Sequence, residues 1–242
     1  MKTIDMIAID THTHSLASSH AYSSLEEMAR AAHKKGLTGF ILTDHSPGMP
    51  GGAHLFHFYN LRVLPREIHG TLVFRGAEAN IINSSGEIDL DEEVMEHLEV
   101  VIASFHIHTF PIGTIEDHTS ALLGAMKNPY VKILGHPDDS RFPYDIPSVV
   151  QAAGETKTLI EMNNSSLSPR AFRVGALENY RMILDECRRQ GVMITLGSDA
   201  HFSSRVGETD HCQSLLEELQ FPSELIANAT LERFLSVTGL SL

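Results

Sequence analysis

Seven short runs of apolar, largely β-branched residues recur along the chain: MIAID (6–10), GFILT (39–43), TLVFR (71–75), VVIAS (100–104), VKIL (131–134), TLIEM (158–162) and VMITL (192–196). Near-continuous apolar runs of this length suit strands buried on both faces, as in a parallel sheet. Helical patterns fall between several of them. Ser23-Ser24-Leu25-Glu26 reads as a capping box, with Ser23 accepting from the first-turn amides and Glu26 reaching back. Leu25, Met28, Ala29 and Ala32 then share one face, and Gly36 ends the helix. Leu177, Tyr180, Leu184 and Cys187 repeat the stripe before Gly191, and Cys212, Leu215, Leu216 and Leu219 repeat it after Thr209. Strands joined by right-handed helical crossovers wind into a barrel or an open doubly wound sheet. The barrel is preferred, in one α/β domain, with an irregular region at 46–70 where no crossover helix is evident. There is no internal repeat, Walker A loop, G-x-G-x-x-G or nucleophile elbow.

Composition narrows the partners. Of 242 residues, 42% are hydrophobic and 20% charged, which suits a soluble globular enzyme. The formal charge is −13 and no basic run is present, the opposite of what a polyanion binder shows, so nucleic acid is not an expected partner. Cys187 and Cys212 lie outside any C-x-x-C pattern, on the apolar faces of helices, and read as reduced packed thiols of a cytoplasmic protein. MKTIDMIAID carries acids and no long apolar core, so it reads as neither signal peptide nor membrane span.

The 15 histidines are concentrated in short motifs behind the apolar runs. MIAID leads into His12 and His14, GFILTD into His45, TLVFRGA into Glu78, VVIASF into His106, VKILG into His136, and VMITLGS into Asp199 and His201. The C-terminal ends of parallel strands converge on one face, where α/β active sites are built. Residues i and i+2 of an extended chain point the same way, so His12 and His14 can reach one ion. His20 can fold back from the first loop. One histidine after a strand is ordinarily a hydrogen-bonded loop residue. Imidazoles and carboxylates delivered together by six strands would be costly to crowd without partners. Divalent cations remove that cost. Imidazole with carboxylate suits Zn2+, Mn2+ or Fe2+, and the lack of cysteine ligands argues against a structural zinc site. Nine ligands exceed one tetrahedral ion and suffice for two or three.

H-x-H, T-D-H, a lone Glu after the third run, S-F-H, G-H-P and G-S-D-A-H, in this order, resemble the PHP (polymerase and histidinol phosphatase) superfamily. SSHAYSS, HLFHFYNLR, RGAEANI, GEID, EMNNSS and LGSDAH resemble its YcdX-type phosphatases, over about residues 6 to 235. The resemblance implies a distorted (β/α)7 barrel, a single PHP-type metallo-phosphoesterase domain over 1–242, and three divalent ions, zinc foremost, at the C-terminal face. It assigns His12, His14, Glu78 and Asp199 to one ion. Glu78 bridges to a second, completed by His106 and His136, and His20, His45 and His201 hold the third. It implies hydrolysis of small phosphomonoesters by in-line attack of a metal-bridging hydroxide, with Glu78, Asp199 and His201 in catalytic roles. A trimer is also implied.

Other positions carry two readings each. Asp10 and Asp44 would orient ligand imidazoles or form strand-end turns. Arg62, in HFYNLR over the expected mouth, would grip phosphate, with His54 and His57 nearby. Arg141 is a weaker candidate. Asn163, Asn164, Ser165 and Ser166 would contact substrate or ligand rings, Asn164 foremost, or form a turn. His108 mimics H-x-H but is not assigned as a ligand. Two alternatives to a general phosphomonoesterase remain: histidinol-phosphate phosphatase, against which HLFHFYNLR counts, and a non-catalytic PHP metal-binding module. A DNA-end nuclease lacks a basic groove, and the chain has no Trp to stack bases.

Overall fold

Each apolar run is a strand, with most boundaries displaced toward the C-terminus. The computed structural model describes residues 7–242, so Met6 of the first run and the five residues ahead of it lie outside the described residues. The strands are β1 (Ile9–Thr13), β2 (Gly39–Leu42), β3 (Glu67–Ile68), β4 (Thr71–Asn80), β5 (Val100–Ser104), β6 (Val131–Gly135), β7 (Leu159–Asn163) and β8 (Ile194–Gly197). The helices are α1 (Leu25–Lys34), α2 (Leu55–Asn60), α3 (Glu92–Met95), α4 (Ile115–Ala125), α5 (Ile146–Thr156), α6 (Ala176–Gln190), α7 (Asp210–Glu218) and α8 (Leu231–Thr238).

Seven strands pair in parallel in the order β1-β2-β4-β5-β6-β7-β8, while β3 forms a short antiparallel hairpin on β4. This is a nearly closed, distorted (β/α)7 barrel in one domain. The closing seam has little backbone ladder. His14 N–H donates to Ala200 O and Asp199 N–H to His12 O, both at 2.9 Å. Lower down, the buried Asn228 amide donates to Ile9 O and Leu196 O at 2.8 Å and accepts from Leu196 N–H at 3.0 Å. One side chain thus replaces the missing strand contacts, satisfying backbone groups that burial would otherwise strand.

Four sequence readings are corrected. The 46–70 region contains the crossover helix α2 and the hairpin strand β3; α2 buries only Phe58, too little to show a stripe. The α1 capping box sits one residue later, Ser24 with Glu27, because paired serines and paired glutamates leave its register open. Ser23 instead accepts from Ser203 N–H at 2.9 Å. Leu177 is exposed, and α6 buries Ala176, Tyr180, Ile183, Leu184 and Cys187. Finally, β4 runs on through RGAEAN. Its first half pairs with β2 and its second half with β5, so Glu78 lies within the strand, opposite Ile102, rather than beyond it.

The core has two layers. One large cluster fills the space between sheet and helices. The other lies inside the barrel: Ile9, Ile41, Phe74, Val100, Ile102, Ile133 and Leu159, plugged from below by Ala227 and by Phe234 of α8. Each large apolar side chain there contributes roughly 1.5–3 kcal/mol of burial. Above this plug the interior turns polar. Both cysteines are free and buried. Among the described residues, no helix is long and apolar enough to cross a membrane.

Candidate metal centre

The polar end of the barrel gathers all nine side chains singled out in the sequence. β1 supplies His12 from its own C-terminal half, His14 follows directly after its last residue, and β4 supplies Glu78. The following loops bring His20, His45, His106, His136, Asp199 and His201. Glu78 is central. Its Oε2 lies 2.7 Å from His45 Nδ1, 3.3 Å from His12 Nε2 and 3.6 Å from His14 Nε2. Its Oε1 lies 2.7 Å from His136 Nε2 and 3.3 Å from His106 Nε2. Asp199 Oδ1 faces His14 Nε2 at 3.2 Å, His201 Nδ1 at 3.5 Å and His12 Nε2 at 3.8 Å. His20 Nε2 approaches His45 Nε2 at 3.2 Å. Donor atoms within 4.8 Å of one another form three sets: His12, His14 and Asp199; His45, Glu78 and His106; and His14, His45 and His201.

The backbone is bent to reach this geometry. Asp199 has φ +55° and His136 φ +30°, in the left-handed region that L-residues disfavour. Such residues cost about 1–3 kcal/mol each and persist when their surroundings over-determine them. His136 N–H is held by Glu161 Oε2 at 2.7 Å and Asp199 N–H by His12 O. Gly197 is required for space. A Cβ there would fall 2.2 Å from Glu161 Oε1 and 2.7 Å from His12 Cβ.

Neighbouring acceptors aim the rings. His12 Nδ1–H donates to Glu161 Oε1 and His106 Nδ1–H to Asn80 Oδ1, both at 2.7 Å. Each bond leaves the Nε2 lone pair pointing into the cluster. Protonation follows from burial and charge. Burial holds His14 well below the ordinary histidine range, reinforced by His45 and His201. Burial also takes His106 down to about 4, against the pull of Glu78. In His12 burial opposes the charge, but Glu161, Glu78 and Asp199 together lift it well above that range. Burial likewise opposes ionisation of Glu78 and Asp199, yet the imidazoles around them, and Arg173 beside Asp199, hold both well below the carboxylate range.

The donors fit divalent cations. His12 Nε2, both nitrogens of His14, His45 Nδ1 and Glu78 Oε2 are buried and make no hydrogen bond, since even the close approach of His45 Nδ1 to Glu78 Oε2 is not aligned for one. Orphaned buried polar atoms are rare and cost about 1–3 kcal/mol each. Here five belong to His12, His14, His45 and Glu78, which lie together in one cluster. Divalent cations would supply the missing partners, and imidazole with carboxylate is the donor chemistry of zinc, manganese and ferrous iron.

Other candidate residues lie where turns and caps explain them. Asp10 accepts from Ser198 N–H at 3.0 Å and Gly207 N–H at 2.7 Å and touches no ring. Asp44 accepts from Ser15 N–H and Ser18 Oγ, both at 2.8 Å; the ring beside it, at 3.0 Å, is His57, outside the cluster. The acceptors that do orient cluster rings, Glu161 and Asn80, were not foreseen. Glu161 sits inside an apolar run, and a carboxylate in a buried strand was the available signal. His54 caps α2. Arg62 is exposed in a groove with Phe56, Tyr59, Asn60 and Glu93, none of them in the cluster.

Two clefts open at the cluster's rim, and both include His20, Asp199 and His201. One continues to Phe105, His108, Arg141 and Arg173, the other to Tyr22, Asn164, Ser165 and His211. Asn164 also caps α7, its Oδ1 accepting from His211 N–H at 3.0 Å and Cys212 N–H at 3.1 Å. Asn163 donates to Asp199 Oδ2 at 3.2 Å. Arg141 is paired with Asp139, and Ser166 Oγ bonds Asp138 at 3.2 Å.

Comparison with known proteins gives the family and relatives of this chain. The PHP domain family model matches residues 10–235. A probable phosphatase of Caldicellulosiruptor bescii is 48% identical over 234 residues, covering 97% of this chain and 96% of its own length. Histidinol phosphate phosphatase from Lactococcus lactis subsp. lactis, crystallised with zinc, L-histidinol and phosphate, is similar with a TM-score of 0.60 at 18% identity, over 89% of this chain and 94% of that one. A chain in the structure of archaeal ribonuclease P with mature tRNA gives a TM-score of 0.62 at 15% identity, over 96% and 90%. At such identities the likeness is of fold, and one fold carries several functions.

Proposed function

The chain belongs to the PHP domain family and is a hydrolase of the phosphatase kind, and on that premise we propose that it hydrolyses small phosphomonoesters at a centre of three divalent ions, zinc by preference. His12, His14, Glu78 and Asp199 would hold one ion. Glu78 would reach a second through its other oxygen, with His106 and His136, while His20, His45 and His201 hold the third. Bound ions would supply Lewis acidity and an activated water. Glu78 links the two sides of the cluster and keeps its charge there. Asp199 and His201 stand at the rim shared by both clefts, where a phosphoryl group would arrive. Asn164 lines one cleft and would contact substrate. Arg62 is not part of this proposal, because its groove shares no lining residue with the cluster. The reduced, buried cysteines support a cytoplasmic setting.

The observation that carries this reading is the set of orphaned ligand atoms around Glu78. Elemental analysis followed by a phosphomonoester panel, with and without chelator, tests it. Three equivalents of metal and chelator-sensitive turnover are expected. Turnover that survives replacement of both His12 and His14 by alanine contradicts it. The panel includes histidinol phosphate, because the Lactococcus lactis relative in fold holds L-histidinol and phosphate. Turnover confined to that ester would replace the general reading with a specific one.

A further inference from the structure

Arg173 touches the cluster but cannot join it, since a guanidinium has no lone pair to give a metal. It lies between β7 and α6, largely buried. Nη1 and Nη2 each donate to Asp199 Oδ2 at 3.3 Å, and Nη1 also reaches Ser166 Oγ at 3.1 Å and Asn163 Oδ1 at 3.4 Å. Asn163 Nδ2 adds another donor to the same Oδ2 at 3.2 Å. The two oxygens of Asp199 are therefore divided. Oδ1 faces His12, His14 and His201, while Oδ2 is gripped from the opposite side.

The segment that presents Arg173 is fastened on both flanks. Arg141, immobilised by Asp139, stacks 4.4 Å over the Phe172 ring. Ser140 N–H donates to Val174 O at 2.8 Å. Gly175 follows at φ +74°, where a Cβ would fall 2.0 Å from Ser140 Oγ. Asp199 itself holds a disfavoured backbone conformation and needs external support. An ion pair serving stability alone is weakly favourable at best, because desolvation offsets attraction. It would not explain why every donor meets one oxygen and leaves the other to the imidazoles.

We propose that Arg173 is a positioning residue for metal retention: with Asn163 it commits Asp199 to presenting Oδ1 alone, and so sets how tightly the ion at His12, His14 and Asp199 is held. This rests on the metal-centre reading above. Without the grip the carboxylate can rotate, and ordering it again on binding costs affinity. Outer partners of metal ligands are typically worth about 10–100-fold in affinity.

The test compares wild type with Arg173→Gln and Arg173→Lys. Metal equivalents are counted after dialysis against graded chelator, and thermal midpoints are taken with and without metal. Arg173→Gln is expected to lose one equivalent at chelator levels about 10–100-fold lower than wild type, with a larger drop in midpoint when loaded than when metal-free. Arg173→Lys should recover part of the loss, since it restores charge without the forked geometry. Unchanged metal retention in Arg173→Gln with a raised KM would overturn the proposal and make Arg173 a substrate contact. Equal midpoint losses with and without metal, and no recovery by lysine, would overturn it in favour of a purely structural role. Retention is read without substrate. A wild type that keeps its metal but cleaves no phosphomonoester therefore refutes the proposed function separately, while one that retains no metal refutes both.

Discussion

The two ends of the barrel interior are built from the same strands yet follow opposite rules. On β4, Phe74 enters the apolar plug and Glu78 the cluster; on β7, Leu159 enters the plug and Glu161 holds His12. In the lower half the plug side chains are apolar and need no partner, and the one buried amide beside them, Asn228, has its hydrogen bonds made. In the upper half, buried nitrogens and a carboxylate oxygen are left without partners, and two residues adopt disfavoured backbone angles. Function sits where local rules are broken, and the intact half carries that cost. The lower half should answer to packing alone, and the upper half to metal and to protons.

The largest separation should come from Phe234→Ala. Phe234 is fully buried and meets Phe74 with ring centres 6.3 Å apart. Truncating it should cost about 3–5 kcal/mol in denaturant unfolding, equally with and without metal, and leave metal content per folded molecule unchanged. Glu161→Gln should do the reverse. Metal affinity, followed by chelator competition, should fall about 10–100-fold, because glutamine has one acceptor oxygen where Glu161 uses two, one for His12 Nδ1–H and one for His136 N–H. A comparable loss of metal in Phe234→Ala would erase the distinction between the halves.

A smaller effect should appear in the pH dependence of the metal-free protein. His106, at about 4, and His14 have folded-state values below the ordinary histidine range. Groups shifted this way are protonated more readily unfolded than folded. Their contribution is present above the ordinary value of about 6.5 and is lost as pH falls toward 4. His12 is shifted upward, so its contribution is present below about 6.5 and lost as pH rises through its folded value. With two of these rings lowered and one raised, the metal-free midpoint should drop between about pH 6.5 and about pH 4.5, and His106→Ala should flatten that drop. The destabilisation by Phe234→Ala should be the same at both ends of the range, because the plug holds no titratable group. An identical slope in His106→Ala would remove this ring from the account.

Much of this contrast was legible in the sequence. Apolar runs marked the strands, and short polar motifs behind them marked the side chains that now cluster. What escaped depended on contacts distant along the chain. Glu161 looked like an interruption of an apolar strand, because nothing local announces that His12 faces it. Asn80 lay hidden because β4 continues through RGAEAN on ladder hydrogen bonds rather than apolar alternation. Nothing local in the sequence marks Arg173, and only the packing of its neighbours Phe172, Val174 and Gly175 against Arg141 and Ser140 fixes the segment that turns it inward. Arg62 was expected at the mouth, but its segment folds as α2 and the turn after it, which leave it facing solvent. The Asn228 seam has no sequence signature at all.

The central claim is that these nine side chains meet around shared cations. Anomalous diffraction from crystals grown with zinc tests it most directly. The account expects three anomalous peaks among Glu78, Asp199 and the seven histidines, with Arg173 on the far side of Asp199 from the ion. Crystals whose zinc peaks lie elsewhere, with these rings bonded only to one another and to water, would contradict it.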